Sequence, residues 1–415
     1  MELNKTAFRS VPRTGVINVM HQAYKKGYSA HHKEWANLGQ GAPETGELSG
    51  APQRIKKINI DEACQEYAPI PGRKDLRQAV ADFYNHFYRK NKKSKYTYQN
   101  VCITSGGRTA LTQLAVSLGN VNIGHFIPDY TAYEELLTNF RNFVPMPILL
   151  NPKHKYKLSL AKLKQEILGR GLSALLISNP CNPTGQLIEG AELKKWITLT
   201  CKFRCSFIFD EFYSHYIYTN SNEKGKMVSS AEYVEDVNKD PIIIVDGLTK
   251  NWRYPGWRIG WIVGPKEIVE AASSASSFVN GGANHPLQKQ AISLMKPELI
   301  LAETKAIQKN FRIKRDYMLK FLKKLKIKIE VDPQGTFYCW ANLNSLPKSL
   351  RNGEDFFAAC LKEKTIVVPG VFFDVNPNKR RIYSNYQNYV RLSFGPPLEE
   401  LKRGLEAIKK VIKNS

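Results

Sequence analysis

Between residues 101 and 263 the chain alternates short apolar runs with stretches of helical periodicity, and that alternation limits the folds open to it. The runs 101–104, 125–129, 172–178, 205–209, 241–245 and 259–263 are the right length and composition for buried strands. Helices are expected at 105–117, 192–201 and 267–277, with a further helix entered at Tyr130. Strands alternating with helices form a mostly parallel sheet with helices on its faces. In such sheets a ligand sits outside the carboxyl ends of the strands. The residues that follow each strand therefore carry most of the functional information.

Those residues are distinctive. The first strand leads into Ser105-Gly106-Gly107-Arg108, a tight turn opening a helix. The free amides of a first helical turn can hold an anion, and the dipole favours one. Tyr130 follows the second strand, where a ring could lie on a planar ligand. The third strand ends in Asn179-Pro180-Cys181-Asn182-Pro183-Thr184-Gly185. Two Asn-Pro pairs stiffen that turn and hold the Asn182 amide at one point. Asp210 and Glu211 stand at the tip of the fourth strand, where a carboxylate is costly unless paired. The fifth strand runs into Asp246-Gly247-Leu248-Thr249-Lys250, with Arg258 eight residues after the lysine. A desolvated lysine can attack an aldehyde as a free amine, and an arginine can clamp a phosphate through two parallel hydrogen bonds. Together these groups suit a small molecule carrying both functions.

Outside this region, residues 1–36 read as an N-terminal arm with a helix over 16–26, of the kind that often packs on a partner subunit. The glycine-rich loop 37–43 contains Gly41, and Tyr67 lies in a second loop before a helix at 74–88. A long helical stretch over about 287–326 leads to strands at 327–331, 336–341, 365–368 and 389–394, with helices at 354–362 and 398–412. Arg391 alternates inward with Ser393 on the last strand. The expected organisation is an arm (1–36), a large ligand-binding domain (61–299) and a smaller α+β domain made from 37–60 and 300–415.

The chain has 415 residues and a formal net charge of +24. The basic residues are dispersed, largely over helical faces, and no nucleic-acid-binding signature accompanies them. A nucleic-acid partner is not expected. Seven cysteines without a CxxC pair fit a reducing cytoplasm and no metal site. No apolar run approaches the roughly 20 residues of a membrane span, and residues 1–6 lack a signal-peptide core.

In order along the chain, Tyr67…Gly72…Leu76-Arg77, Ser105-Gly-Gly-Arg108, Asn179-Pro-Cys-Asn-Pro-Thr-Gly185, Asp210-Glu-Phe-Tyr213, Thr249-Lys250…Pro255-Gly-Trp-Arg258-Ile-Gly260 and Val390-Arg391-Leu-Ser-Phe394 resemble the motifs of the class I/II aminotransferases, of the fold-type I pyridoxal 5′-phosphate (PLP) group. The resemblance spans residues 35–410. It implies an α/β fold with a mostly parallel seven-stranded sheet and a smaller α+β domain. It also implies a homodimer with shared active sites, acting on an amino acid and a 2-oxo acid. By position, Lys250 would bond to the cofactor aldehyde and later move the substrate's Cα proton. Asp210 would pair with the pyridine nitrogen. Asn182 and Tyr213 would bind the ring oxygen, and Tyr130 would stack on the ring. The amides of Gly107 and Arg108, with Arg258, would hold the phosphate, joined by Tyr67 from the neighbouring subunit. Arg391 would bind the substrate α-carboxylate with help from the Gly41 backbone.

Three positions depart from the family pattern. Gly247 stands where a phosphate-binding serine is usual, and Thr249 is a candidate to replace its hydroxyl. Arg253 stands where a small residue is usual and would add positive charge near the site. The partner-loop segment 281–286 has no arginine, which argues against strict aspartate specificity. Tyr130, Tyr133, Trp252 and Trp257 are compatible with neutral or aromatic amino acids, or with broad specificity, and equally with core packing. A lyase of the same fold shares every one of these residues. A PLP-binding transcription regulator is the further alternative, although only some 35 residues precede the domain.

Overall fold

The computed structural model describes residues 13, 15–29, 33–219 and 225–415. The arm contains helix α1 (Gly15–Lys25), followed by the short strand β1 (Ala36–Asn37) and helix α2 (Lys74–Phe87). Leu76, Val80 and Phe83 of α2 recur at helical spacing and are buried.

The strand–helix alternation then runs through β2 (Val101–Thr104), α3 (Gly107–Ser117), β3 (Val121–Ile127), α4 (Ala132–Asn139), β4 (Phe143–Leu149), α5 (Leu160–Gly169), β5 (Leu172–Ser178), α6 (Gly190–Lys202), β6 (Ser206–Asp210), β7 (Ile242–Gly247), β8 (Gly260–Val263) and α7 (Lys266–Val279). Seven of these strands form one sheet in the order β2-β8-β7-β6-β5-β3-β4. Strands β4, β3, β5, β6 and β7 are mutually parallel, and β8 runs antiparallel to both its neighbours. Helices pack against this sheet, so β5, β6 and β7 are almost continuously apolar.

Strand β4 was not evident from sequence. It carries Pro145 and Pro147, which remove ladder donors and argue against a central strand. Its place at the sheet edge explains why they are tolerated.

The long helical stretch expected over 287–326 is two helices, α8 (His285–Ala291) and α9 (Pro297–Lys324). Pro297 cannot continue a helix but suits the first turn of a new one, so the chain breaks before it. The remaining elements are β9 (Lys328–Ile329), β10 (Tyr338–Asn342), α10 (Gly353–Lys362), β11 (Thr365–Ile366), β12 (Val368–Pro369), β13 (Tyr389–Ser393) and α11 (Leu398–Lys413). The single strand expected at 365–368 is thus divided. Its first half pairs with β1 and its second joins the sheet β12-β13-β10-β9. Helix α11 buries Leu401, Leu405, Ile408 and Val411 and leaves its lysines outward, which accounts for part of the basic charge.

Helix α1 belongs to its own chain's cavity. Val16, Ile17 and Met20 line the space above the carboxyl ends of the large sheet, and Gly15 packs against Thr131. Among the described residues no helix is long and apolar enough to cross a membrane.

Candidate active site

The carboxyl ends of β3, β5, β6 and β7, the start of α3 and strand β13 surround a cavity of about 430 Å³. Lys250 follows β7 in a turn closed by the Arg253 amide, which donates to the Lys250 carbonyl at 2.9 Å. Its Nζ donates to the Gly41 carbonyl. Burial, then the nearby Arg391, Arg258 and Arg108 cations, lower its pKa to about 7, against the pull of Asp210. The amine is therefore half neutral near neutrality, as a nucleophile toward an aldehyde must be.

Asp210 ends β6 and faces the same cavity. Its Oδ2 accepts from Tyr133 Oη at 2.9 Å and its Oδ1 from the Phe212 amide at 3.5 Å. Burial raises its pKa to about 6, while Tyr133, Phe212 and Lys250 favour the ionised form. Glu211 points the other way, as the two-residue period of an extended chain requires. It accepts from the Ser230 amide at 2.7 Å behind the site. The choice between these two carboxylates is thereby made for Asp210.

At the other end lies a place for an anion. Gly106 has φ +89°, and a Cβ there would fall 2.4 Å from Arg258 Nη2. A Cβ on Gly107 would fall 2.3 Å from the Phe212 ring. The chain thus brings Arg258 directly over the first turn of α3, where backbone donors are free. The Thr249 hydroxyl is buried and has no partner among the described residues. Arg108 lines the cavity, and its Nε donates to Tyr130 Oη at 3.2 Å. Neither Arg108 nor Arg258 forms an ion pair among the described residues. A bound phosphate would satisfy the orphaned hydroxyl, the helix amides and the arginine, so these residues fit the cofactor that the resemblance implies.

Arg391 lines the same cavity and is 1% exposed. Its Nη1 donates to Asn182 Oδ1 at 2.9 Å, its Nη2 donates to the Gly39 carbonyl at 2.6 Å, and its Nε has no partner. The guanidinium lies 4.1 Å from the centre of the Tyr338 ring. Tyr338 in turn shares a 2.8 Å hydrogen bond with Tyr213.

The structure therefore brings Gly41, Gly107, Arg108, Tyr130 and Asn182 into one cavity with Asp210, Tyr213, Lys250, Arg258 and Arg391. The acceptor for Arg391 is Gly39; the Gly41 carbonyl meets Lys250 instead. Tyr67 is 93% exposed and lies away from this cavity. Trp252 packs against Phe83 and Trp261 in the core, and Trp257 packs on Tyr254; neither lines the cavity. Arg253 does not add free charge to the site. It is buried and paired with Glu303 at 2.6 Å. Tyr133 as the Asp210 donor and Tyr338 as the Tyr213 partner had no signal in sequence beyond being aromatic. Contacts across 77 and 125 residues create their roles.

Gly247 has a packing reason. It pairs with Gly260 across β7 and β8, and a Cβ would sit 2.5 Å from Gly260 Cα and 2.6 Å from the Ile259 carbonyl oxygen. No flexible side chain is there to yield. Gly247→Ser is expected to lower unfolding stability by about 2 kcal/mol, as an overpacked core does. Denaturant unfolding checks it, and an unchanged midpoint would contradict this account.

A parallel α/β sheet with a lysine, a carboxylate and an anion cradle at its strand ends defines a class of protein: enzymes that hold a phosphorylated aldehyde and act on an amine. Residues 33–408 match the family described as aminotransferase class I and II. The chain is 27% identical to an aspartate aminotransferase of Sulfurisphaera tokodaii over 385 residues, 91% of this chain and 89% of that one. It is 27% identical to a probable aspartate/prephenate aminotransferase of Aquifex aeolicus over 85% of this chain and 87% of the other. Its fold matches the aspartate aminotransferase of Thermus thermophilus with a TM-score of 0.78 at 22% identity, covering 97% of this chain and all of that one. The chain belongs to the class I and II aminotransferase family. It is a PLP-dependent aminotransferase, and its substrates are an amino acid and a 2-oxo acid.

Proposed function

We propose that this aminotransferase takes its amino group from L-amino acids with neutral or aromatic side chains, with broad tolerance, and passes it to a 2-oxo acid. The observation that carries the reading is one cavity lined by Lys250, Asp210 and Arg391, with the Lys250 pKa lowered to about 7. The side-chain preference rests on the apolar wall made by Val16, Ile17, Met20 and Leu111.

Bound PLP supplies an electron sink for charge that develops at the substrate Cα. The amides of Gly107 and Arg108, the Thr249 hydroxyl and Arg258 hold its phosphate. Asp210, held in place by Tyr133, would pair with the ring nitrogen and keep it protonated. Tyr130 would stack on the ring, while Asn182 and Tyr213 would bind its oxygen. Arg391 binds the substrate α-carboxylate through two parallel hydrogen bonds, giving up the Gly39 carbonyl. Lys250, as a neutral amine, carries the Cα proton. The exposed Tyr67 serves a second copy of the chain, in a cytoplasmic homodimer with shared sites.

A second reading, acidic donors, is favoured by Arg108, whose guanidinium faces the cavity with Tyr130 as its neighbour. The names of both relatives include aspartate. A panel of phenylalanine, leucine, alanine, aspartate and glutamate, each with a 2-oxo acid, separates the two. Efficient use of phenylalanine and leucine is expected. In the Arg108→Met variant, loss of aspartate turnover alone, by roughly 10- to 100-fold as for one charged hydrogen bond, would mean that Arg108 reads an acidic side chain. Release of ammonia without any 2-oxo acid would replace transfer with a lyase reaction.

A further inference from the structure

Arg253 stands three residues after Lys250 and is fully buried, yet it lies outside the cavity. Its backbone has φ +56°, a left-handed conformation that is strained for a side-chain-bearing residue. Such strain at a turn beside a reactive lysine calls for a cause.

The side chain supplies one. Nε donates to Glu303 Oε1 of α9 at 2.6 Å, and Nη1 donates to two carbonyls, Glu44 at 3.0 Å and Gly46 at 2.9 Å. Those carbonyls belong to the strap that also carries Gly39 and Gly41. The strap is held again at Glu44, whose carboxylate accepts from Lys314 at 2.6 Å and whose amide donates to the Gly395 carbonyl at 2.8 Å. Its far end supplies the Gly39 carbonyl to Arg391 and the Gly41 carbonyl to Lys250.

A closed circuit results. The Arg253 amide holds the main chain of Lys250, the Arg253 guanidinium holds the strap, and the strap holds the Lys250 amine. We propose that Arg253 is a positioning residue: it fixes the Gly39–Gly46 strap against the Lys250 turn, and so sets the spacing between Lys250 and Arg391 that an amino acid must bridge. The inference rests on the reading of Arg391 as the carboxylate site. A planar guanidinium is needed because one group must reach a carboxylate and two carbonyls together; an ammonium cannot take up that fork.

The test uses the PLP-loaded enzyme and two variants. Arg253→Lys keeps a cation beside Glu303 and so avoids stranding a buried carboxylate. Arg253→Met leaves Glu303 to Arg54, whose Nη1 lies 3.8 Å from the same carboxylate oxygen, and gives a second comparison. Displacement of a reacting group by an ångström costs on the order of a hundredfold, and a shifted strap is a smaller change. In both variants KM for the amino donor is therefore expected to rise roughly tenfold, with kcat within about threefold and PLP content unchanged. Calorimetric titration with 2-methylalanine gives a readout apart from turnover. This probe has no Cα proton to lose and binds through its amine and carboxylate whatever the side-chain preference, so its Kd should rise in parallel. Wild-type KM and Kd in either folded variant would overturn the proposal, as would losses confined to kcat or to PLP content. Arg391→Ala serves as the reference. If it raises KM while the Arg253 variants do not, only the role of Arg253 fails; if none of them moves KM, the reading of the carboxylate site fails.

Discussion

Replacing Lys250 with alanine is expected to abolish turnover and the absorbance of the lysine-bound cofactor. The fall in rate should be at least about 10⁴-fold, the upper range for one positioned proton carrier, since on the proposed reading the same amine also anchors the cofactor. No other lysine lines the cavity among the described residues. Full activity in this variant would overturn the functional reading. The amine also predicts a pH dependence. Its pKa is lowered to about 7, chiefly by burial and by three arginines. Only the neutral amine attacks an aldehyde. Uptake of PLP by cofactor-free protein should thus quicken about tenfold per pH unit below 7 and level off above it. A rate that keeps rising to pH 10 would mean an ordinary exposed lysine.

Arg391→Ala is expected to raise KM for amino acids by roughly 10- to 100-fold, the worth of one charge-assisted hydrogen-bonded pair, with PLP content unchanged. The split follows from position. Arg391 touches Asn182, Gly39 and Tyr338 and none of the groups proposed to hold the phosphate. Cofactor content measured by absorbance, beside steady-state kinetics, checks it. An equal loss of PLP would show that Arg391 supports the fold of the site as a whole.

Much of the fold was legible because its signals are local. Buried parallel strands are short apolar runs, and amphipathic helices repeat every three to four residues. Lys250, Asp210 and Arg108 each lie at or after the end of a strand of the large sheet, so topology alone places them on one face, whereas Arg391 reaches the cavity from β13 of another sheet. The errors also have local causes. Pro145 and Pro147 hid β4, because a sequence does not say which strand will be an edge. Continuous helical periodicity hid the break at Pro297.

The side-chain reading was less secure where long-range contacts decide. Arg253 looked like a free charge beside the lysine. Glu303, fifty residues later, neutralises it, and carbonyls of residues 44 and 46 occupy it. Gly247 looked like a lost phosphate ligand, but its glycine is required by the approach of β8. Tyr133, read from sequence as bearing on substrate choice, holds Asp210, and Tyr338, which carried no sequence signal, holds Tyr213.

The sequence by itself determined the family, the cofactor and the order of the strand-end residues. These depend on residue type and spacing, which a linear pattern records. Only the tertiary structure decided what holds the Asp210 carboxylate, which arginines remain available to a ligand, and that the arm helix lines its own chain's cavity. Each of these is a matter of direction and partnership in space, set by the sheet's two-residue alternation and by groups far apart along the chain.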